Sequence, residues 1–153
     1  MHSFLLILGG GNNEAIGALA YNRQQTTISR LVTYVIQLGT NTGAFEMAVL
    51  QPVSPTEATV IGVTTVVNAL TPGLFILPLT TPVILDSDTV YALAVYNQIN
   101  GSSLDGRSTG LGTVKAAFPI NFRDQNLTGF TIGQSINTSD VSLFLSPWIA
   151  GLA

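Results

Sequence analysis

Asp86 and Asp88, two residues apart in the segment Asp86-Ser87-Asp88, have the best spacing in this chain for holding a hard cation. Calcium takes six to eight oxygen ligands, and two carboxylates plus loop carbonyls could begin such a shell. The same tripeptide is also ordinary turn chemistry, in which each carboxylate accepts nearby backbone N–H groups. Asn97, Asn100, Asp105 and Arg107 form a second polar set. They fall in a Gly- and Ser-rich stretch with the turn dipeptides Asn100-Gly101 and Asp105-Gly106, where side chains could read a glycan or a receptor. Asp124 beside Arg123 is a third polar pair, again readable as a solvated ion pair.

Nucleophilic machinery is not indicated. His2 is the only histidine and there is no cysteine, so a Ser-His-Asp or Cys-His arrangement lacks its base, and a zinc site lacks its usual ligands. A glycosidase needs two carboxylates held at a controlled separation across a cleft, and no pair here suggests one. The expectation is a non-catalytic protein, with calcium at Asp86 and Asp88 as the one cofactor to consider.

Charged residues make up 8% of the 153 residues, against about 25% in ordinary soluble domains. The net charge is −3, with Lys115 the single lysine and Arg23, Arg30, Arg107 and Arg123 scattered. Without a basic stripe to neutralise phosphates, a nucleic-acid partner is disfavoured. Mean hydropathy is +0.46, yet no apolar run approaches the roughly 20 residues of a membrane helix. The apolar segments are short and alternate poorly, unlike the roughly ten-residue alternating strands of an outer-membrane barrel. An oligomer that hides much of its surface fits this composition better. Phe4–Leu8 is too short for a signal peptide and reads as a first strand, after a start remnant at residues 1–3. Residues 4–153 are read as a single domain.

The elements that would position these residues are strands. Thr26–Leu38 is rich in Thr, Val and Ile; Ala44–Gln51 returns after the turn Gly39–Gly43; Ala58–Ala69 continues, with Gly62 a bulge or a close approach. Glu14–Tyr21 is a weaker strand. Thr113–Phe118, Phe130–Gly133 and Val141–Leu145 are short extended pieces, and Trp148 reads as a lid over the sandwich edge. Turn signals every 8–15 residues predict an all-β, jelly-roll β-sandwich of about eight to ten strands.

The run Leu70–Asn97 is the centre of this pattern: an apolar strand, a Thr/Pro connection, a second short strand, the Asp86–Asp88 turn and a third strand ending in Tyr96-Asn97. In the last strand Tyr91, Leu93 and Val95 alternate with Ala92, Ala94 and Tyr96, and neither face is polar. A strand apolar on both faces must be covered twice. A second subunit is the expected cover, with Tyr91, Leu93, Tyr96 and Phe144 as interface candidates. Hiding about 1,000 Å² of such surface yields about 25 kcal/mol gross, against about 4–15 kcal/mol for lost rigid-body freedom.

The phrase Gly73-Leu74-Phe75, Pro82-Val83-Ile84-Leu85, Tyr91-Ala92-Leu93-Ala94-Val95-Tyr96 is similar to the paired strands in the second half of many bacterial extracellular jelly-roll modules. Tyr34-Val35 and Phe45–Val49 fit the preceding strands of that layout. The Thr/Gly/Val-rich, lysine-poor, cysteine-free texture also resembles the C-terminal heads of collagen-like fibre proteins on spore surfaces. Those heads are trimers related in fold to tumour-necrosis-factor and complement heads. The resemblance implies a homotrimeric, extracellular or spore-surface structural head. A carbohydrate- or receptor-binding module, as on a phage tail fibre or a secreted protein, is the competing expectation.

Overall fold

The β-branched runs become long strands. The structure is a computed structural model that describes residues 8–108, 120–143 and 145–153. It contains β1 (Leu8–Gly9), β2 (Glu14–Asn22), β3 (Thr26–Leu38), β4 (Phe45–Ser54), β5 (Glu57–Val63), β6 (Gly73–Leu85) and β7 (Thr89–Asn97). Six short strands follow: β8 (Ser102–Leu104), β9 (Gly106–Ser108), β10 (Asn121–Gln125), β11 (Ser135–Asn137), β12 (Leu145–Pro147) and β13 (Ile149–Leu152). His2, Phe144 and the expected strand Thr113–Phe118 lie outside the described residues.

All the pairings between these strands are antiparallel. The first sheet runs β1-β8-β3, with β6 on one flank of β3 and β13 on the other beside β8. The second sheet runs β10-β2-β7-β4-β5-β11, and β9 pairs with β12 in a small ribbon. The principal strands thus alternate between the orders β1-β8-β3-β6 and β2-β7-β4-β5, which is the connectivity of a jelly roll. The sandwich nearly closes on one side, where Thr64 bridges to Leu79 and Thr65 N–H bonds the Pro78 carbonyl at 3.1 Å.

Two local readings need correction. The expected Thr/Pro connection is part of one continuous β6, in which Leu79–Pro82 leave the β3 ladder: Arg30 pairs with Pro78, and Ile28 only with Val83. Proline cannot donate to a ladder, so both prolines fit this interrupted flank. Phe130–Gly133 and Val141–Leu143 are loop and turn, and their neighbours β11, β12 and β13 make the pairings. Gly62 meets its expectation on both counts. The β4–β5 register shifts between Val49 and Leu50, and a Cβ on Gly62 would lie 2.5 Å from Val83 Cγ2.

The core between the sheets comes from the large alternating residues Ile16, Leu31, Val35, Met47, Val49, Leu77, Tyr91, Leu93 and Val95. Phe45 and Phe75 tie the two sheets edge to face, with ring centroids 5.6 Å apart. The opposite face of the second sheet is built from small residues, Ala15, Gly17, Ala48, Ala58, Ala92 and Ala94. Onto it the chain folds its own Phe122, Phe130 and Ile136, making a second core. The second cover over β7 is therefore the segment from β10 to β11 of the same chain.

Candidate functional site

Tyr91, Leu93 and Tyr96 are 2%, 6% and 4% exposed, inside the two cores of a single chain. Tyr91 Oη accepts Asp86 N–H at 2.8 Å, and Tyr96 Oη donates to the Leu127 carbonyl at 3.1 Å. Their assignment to a subunit interface is corrected: buried within the protomer, they have almost no surface left to offer a second copy. The two apolar faces of β7 indicated two covers, but not whose atoms supplied them.

Exposed apolar side chains occur on several elements, Tyr21, Val53, Val66, Ile120 and Ile132 among them. Another set gathers in register on the outer face of the first sheet. There β3 sits between β6 and β13, and the registers line up three rungs: Leu74 opposite Tyr34, Ile76 opposite Val32 and Ala150, and Pro78 opposite Arg30 and Leu152. Trp148 precedes β13 and, by alternation from the inward Ile149, flanks Tyr34 on this face. Thr33 Oγ1 donates to the Trp148 carbonyl at 2.8 Å and anchors that backbone. Leu74 is 60% exposed, Ile76 44%, Trp148 44% and Tyr34 42%. Trp148 is thus a surface residue of the sheet and not a lid on the sandwich edge. Arg30 is the one charge in the lattice, and its Nη2 donates to the Ala153 carbonyl at 2.8 Å. The 13 residues of β6 carry no charge, and Ile84 extends the apolar face along that strand at 61% exposure.

The total accessible surface is 7534 Å², close to the roughly 7,400 Å² of a compact monomer of this mass. Any case for assembly therefore rests on the character of this face, since the fold's own core is complete.

The polar candidates are spread apart. Asn97 is buried: its Nδ2 donates to Ser102 Oγ at 2.8 Å and its Oδ1 accepts Ile99 N–H at 3.0 Å, so both ends of the amide brace the 97–102 turn. Asn100 is exposed, and its carbonyl accepts Thr40 N–H at 3.0 Å. It shares one polar end of the sandwich with Asn12, Asn13, Asn41 and Gln98, where Gln98 and Asn13 exchange amide hydrogen bonds. Asp105 uses its backbone to join Tyr34 and Trp148, and Arg107 is exposed on β9. No ion pair links those two.

Asp86 and Asp88 serve the β6–β7 turn. Asp88 takes a positive φ of 53°, Tyr21 Oη donates to its Oδ1 at 3.1 Å, and Asn22 Nδ2 donates to the Asp86 carbonyl at 2.8 Å. The Asp88 hydrogen bond, followed by lost solvation and the carboxylate's charge, holds the Tyr21 phenol above its ordinary range. Among the described residues no group of three or more His, Asp or Glu side chains gathers to hold a metal ion. Also among them, no helix is long and apolar enough to cross a membrane.

The expected Arg123–Asp124 pair is also corrected. Neighbouring strand residues point to opposite faces, and Arg123 instead reaches Asp140 at 3.0 Å and Glu14 at 3.7 Å. Asp124 Oδ2 accepts Asn137 N–H at 2.9 Å. Sequence reasoning missed Glu46, which is buried under the loop between β10 and β11. Its Oε1 accepts Phe130 N–H at 3.1 Å, while burial pushes its carboxyl above the ordinary range and that bond partly offsets the rise. Compared with known proteins, the chain matches no family model and no curated sequence.

Proposed function

We propose that this domain is a non-catalytic structural and interaction head that works as a homotrimer at the tip of an extracellular or spore-surface fibre. The single observation that carries the reading is the outer face of β3, β6 and β13, whose three rungs hold Arg30 as their one charge and which presents Tyr34, Leu74, Ile76 and Trp148 to solvent. Large contiguous apolar patches on a surface mark interaction sites.

The magnitudes set the extent of the contact. At the usual strand and rung spacings, three strands by three rungs cover about 300 Å². Burying that yields about 7 kcal/mol, inside the cost of about 4–15 kcal/mol for association. A stable contact needs a footprint of about 800 Å² per partner. The lattice is thus the centre of the interface, and the uncharged remainder of β6 out to Ile84 supplies its continuation. A face meeting a different surface on its neighbour closes into a ring when the rotation between copies is a whole fraction of a turn, and a rotation of one third gives the three-fold head.

Light scattering after size exclusion tests this directly. Ile76→Asp places a charge in the centre of the face and is expected to release folded monomer. A trimer unaffected by Ile76→Asp, or a wild-type monomer, would contradict the reading. The competing glycan- or receptor-binding reading draws on the exposed amides at the polar end, Asn12, Asn41 and Asn100. Saturable glycan binding lost on Asn100→Ala would favour it.

A further inference from the structure

The sandwich nearly closes on the β5–β6 side but carries a cleft of about 200 Å³ on the other, where the last residues of β2 face β13 across the gap between the sheets. Ala20, Ile28, Leu85 and Leu93 wall it with Thr26, and Gly151 adds no side chain there. At its rim Asn22 Nδ2 donates to the Leu85 and Asp86 carbonyls at 3.0 and 2.8 Å, and Tyr21 is tied to Asp88. These bonds fix the mouth to the β6–β7 turn. Tyr91 lines the cleft and is almost wholly buried. Its Oη already accepts Asp86 N–H, and its own proton meets no acceptor among the described residues.

We propose that this cleft binds a compact, ring-sized, mainly apolar molecule carrying one hydrogen-bond acceptor, which takes the Tyr91 proton. The size is that of a small ring, since an apolar protein cavity of about 150 Å³ accepts benzene. The lining favours an apolar occupant over a sugar, because Ala20, Ile28, Leu85 and Leu93 are apolar. The donors of Tyr21, Asn22 and Thr26 are already given to Asp88, to the Leu85 and Asp86 carbonyls and to the Gln24 carbonyl. Tyr91 Oη is already engaged as an acceptor, so its remaining capacity is to donate, which favours an occupant carrying an acceptor. The inference does not rest on the assembly proposed above, as the cleft lies between the sheets of one chain.

The test is a methyl NMR titration of the full chain with cyclohexanone, which carries an acceptor, and toluene, which does not. Both probes are expected to give saturable shifts at Ile28, Leu85 and Leu93. Tyr91→Phe is expected to weaken cyclohexanone roughly threefold to tenfold and to leave toluene unchanged. Ala20→Leu, which fills the cleft from its wall, is expected to abolish both sets of shifts. Non-saturating shifts, shifts scattered over other methyls, or an equal effect of Tyr91→Phe on both probes would overturn the proposal. So would undiminished binding to a folded Ala20→Leu protein.

Discussion

The ring of Phe122 lies against Gly17 so closely that a Cβ there would sit 2.4 Å from Phe122 Cζ. The two residues are register partners on β10 and β2, and their contact seats one side of the chain's own cover over the second sheet. The small residues of that sheet leave the room, and Phe122, Phe130 and Ile136 fill it.

Gly17→Ala is expected to cost about 1–3 kcal/mol by overpacking, and Phe122→Ala about 3–5 kcal/mol by leaving a cavity. Because the two sites touch, the double variant should cost less than the sum. Urea unfolding of the four proteins measures this. Strict additivity would contradict the contact.

Glu46 gives stability a pH dependence of definite sign. Its folded carboxyl is raised by burial above the ordinary 4.5. Its contribution is therefore fully present below that ordinary value and is lost as pH rises through the raised folded one. Glu46→Gln keeps an acceptor for Phe130 N–H without the charge, so it should be more stable than wild type at neutral pH. The gap should close as pH falls below 4.5. Glu46→Ala removes the acceptor and should cost about 1–3 kcal/mol. Thermal melts across pH check all three outcomes.

Asp140 is shifted the other way. Ser142 donates to its Oδ1 from the hydroxyl at 2.6 Å and from the backbone at 3.0 Å, and Arg123 Nε donates to Oδ2 at 3.0 Å. The Ser142 bonds are the larger cause of its lowered carboxyl, ahead of Arg123. Carboxyl NMR titration should find Ser142→Ala raising the Asp140 midpoint. Its stabilising contribution is lost as pH falls through the depressed folded value. An unmoved midpoint would contradict the assignment.

Core and face residues should separate cleanly. Leu93→Ala removes a side chain from the inter-sheet core and should cost about 2–5 kcal/mol in urea, without changing the native mass. Leu74→Asp, on the exposed face, should change the mass while leaving the far-ultraviolet spectrum intact. A change of mass on Leu93→Ala would restore that residue to the interface.

Much of the fold was legible. The long β-branched runs marked β3 and β7, the Asp86–Asp88 turn fell where Asp88 adopts positive φ, and Gly62 marked both a bulge and a close approach. The short strands β8 to β13 were not, because three to five residues carry too little alternation to separate a strand from a loop. The interface candidates failed for a physical reason: apolarity on both sides of β7 says that both are covered, not by which atoms. The usable signal was size. Ala92 and Ala94 against Leu93 and Val95, together with Ala48, Ala15 and Gly17, marked a face shaped for an inserted strap of the same chain.

The mass of the native particle in solution tests the central claim most directly. Light scattering after size exclusion should give about three times the 16.1 kDa of one chain, falling to a single chain in Ile76→Asp. A wild-type particle that stays at one chain's mass at high concentration, with Tyr34, Leu74, Ile76 and Trp148 in water, would contradict it.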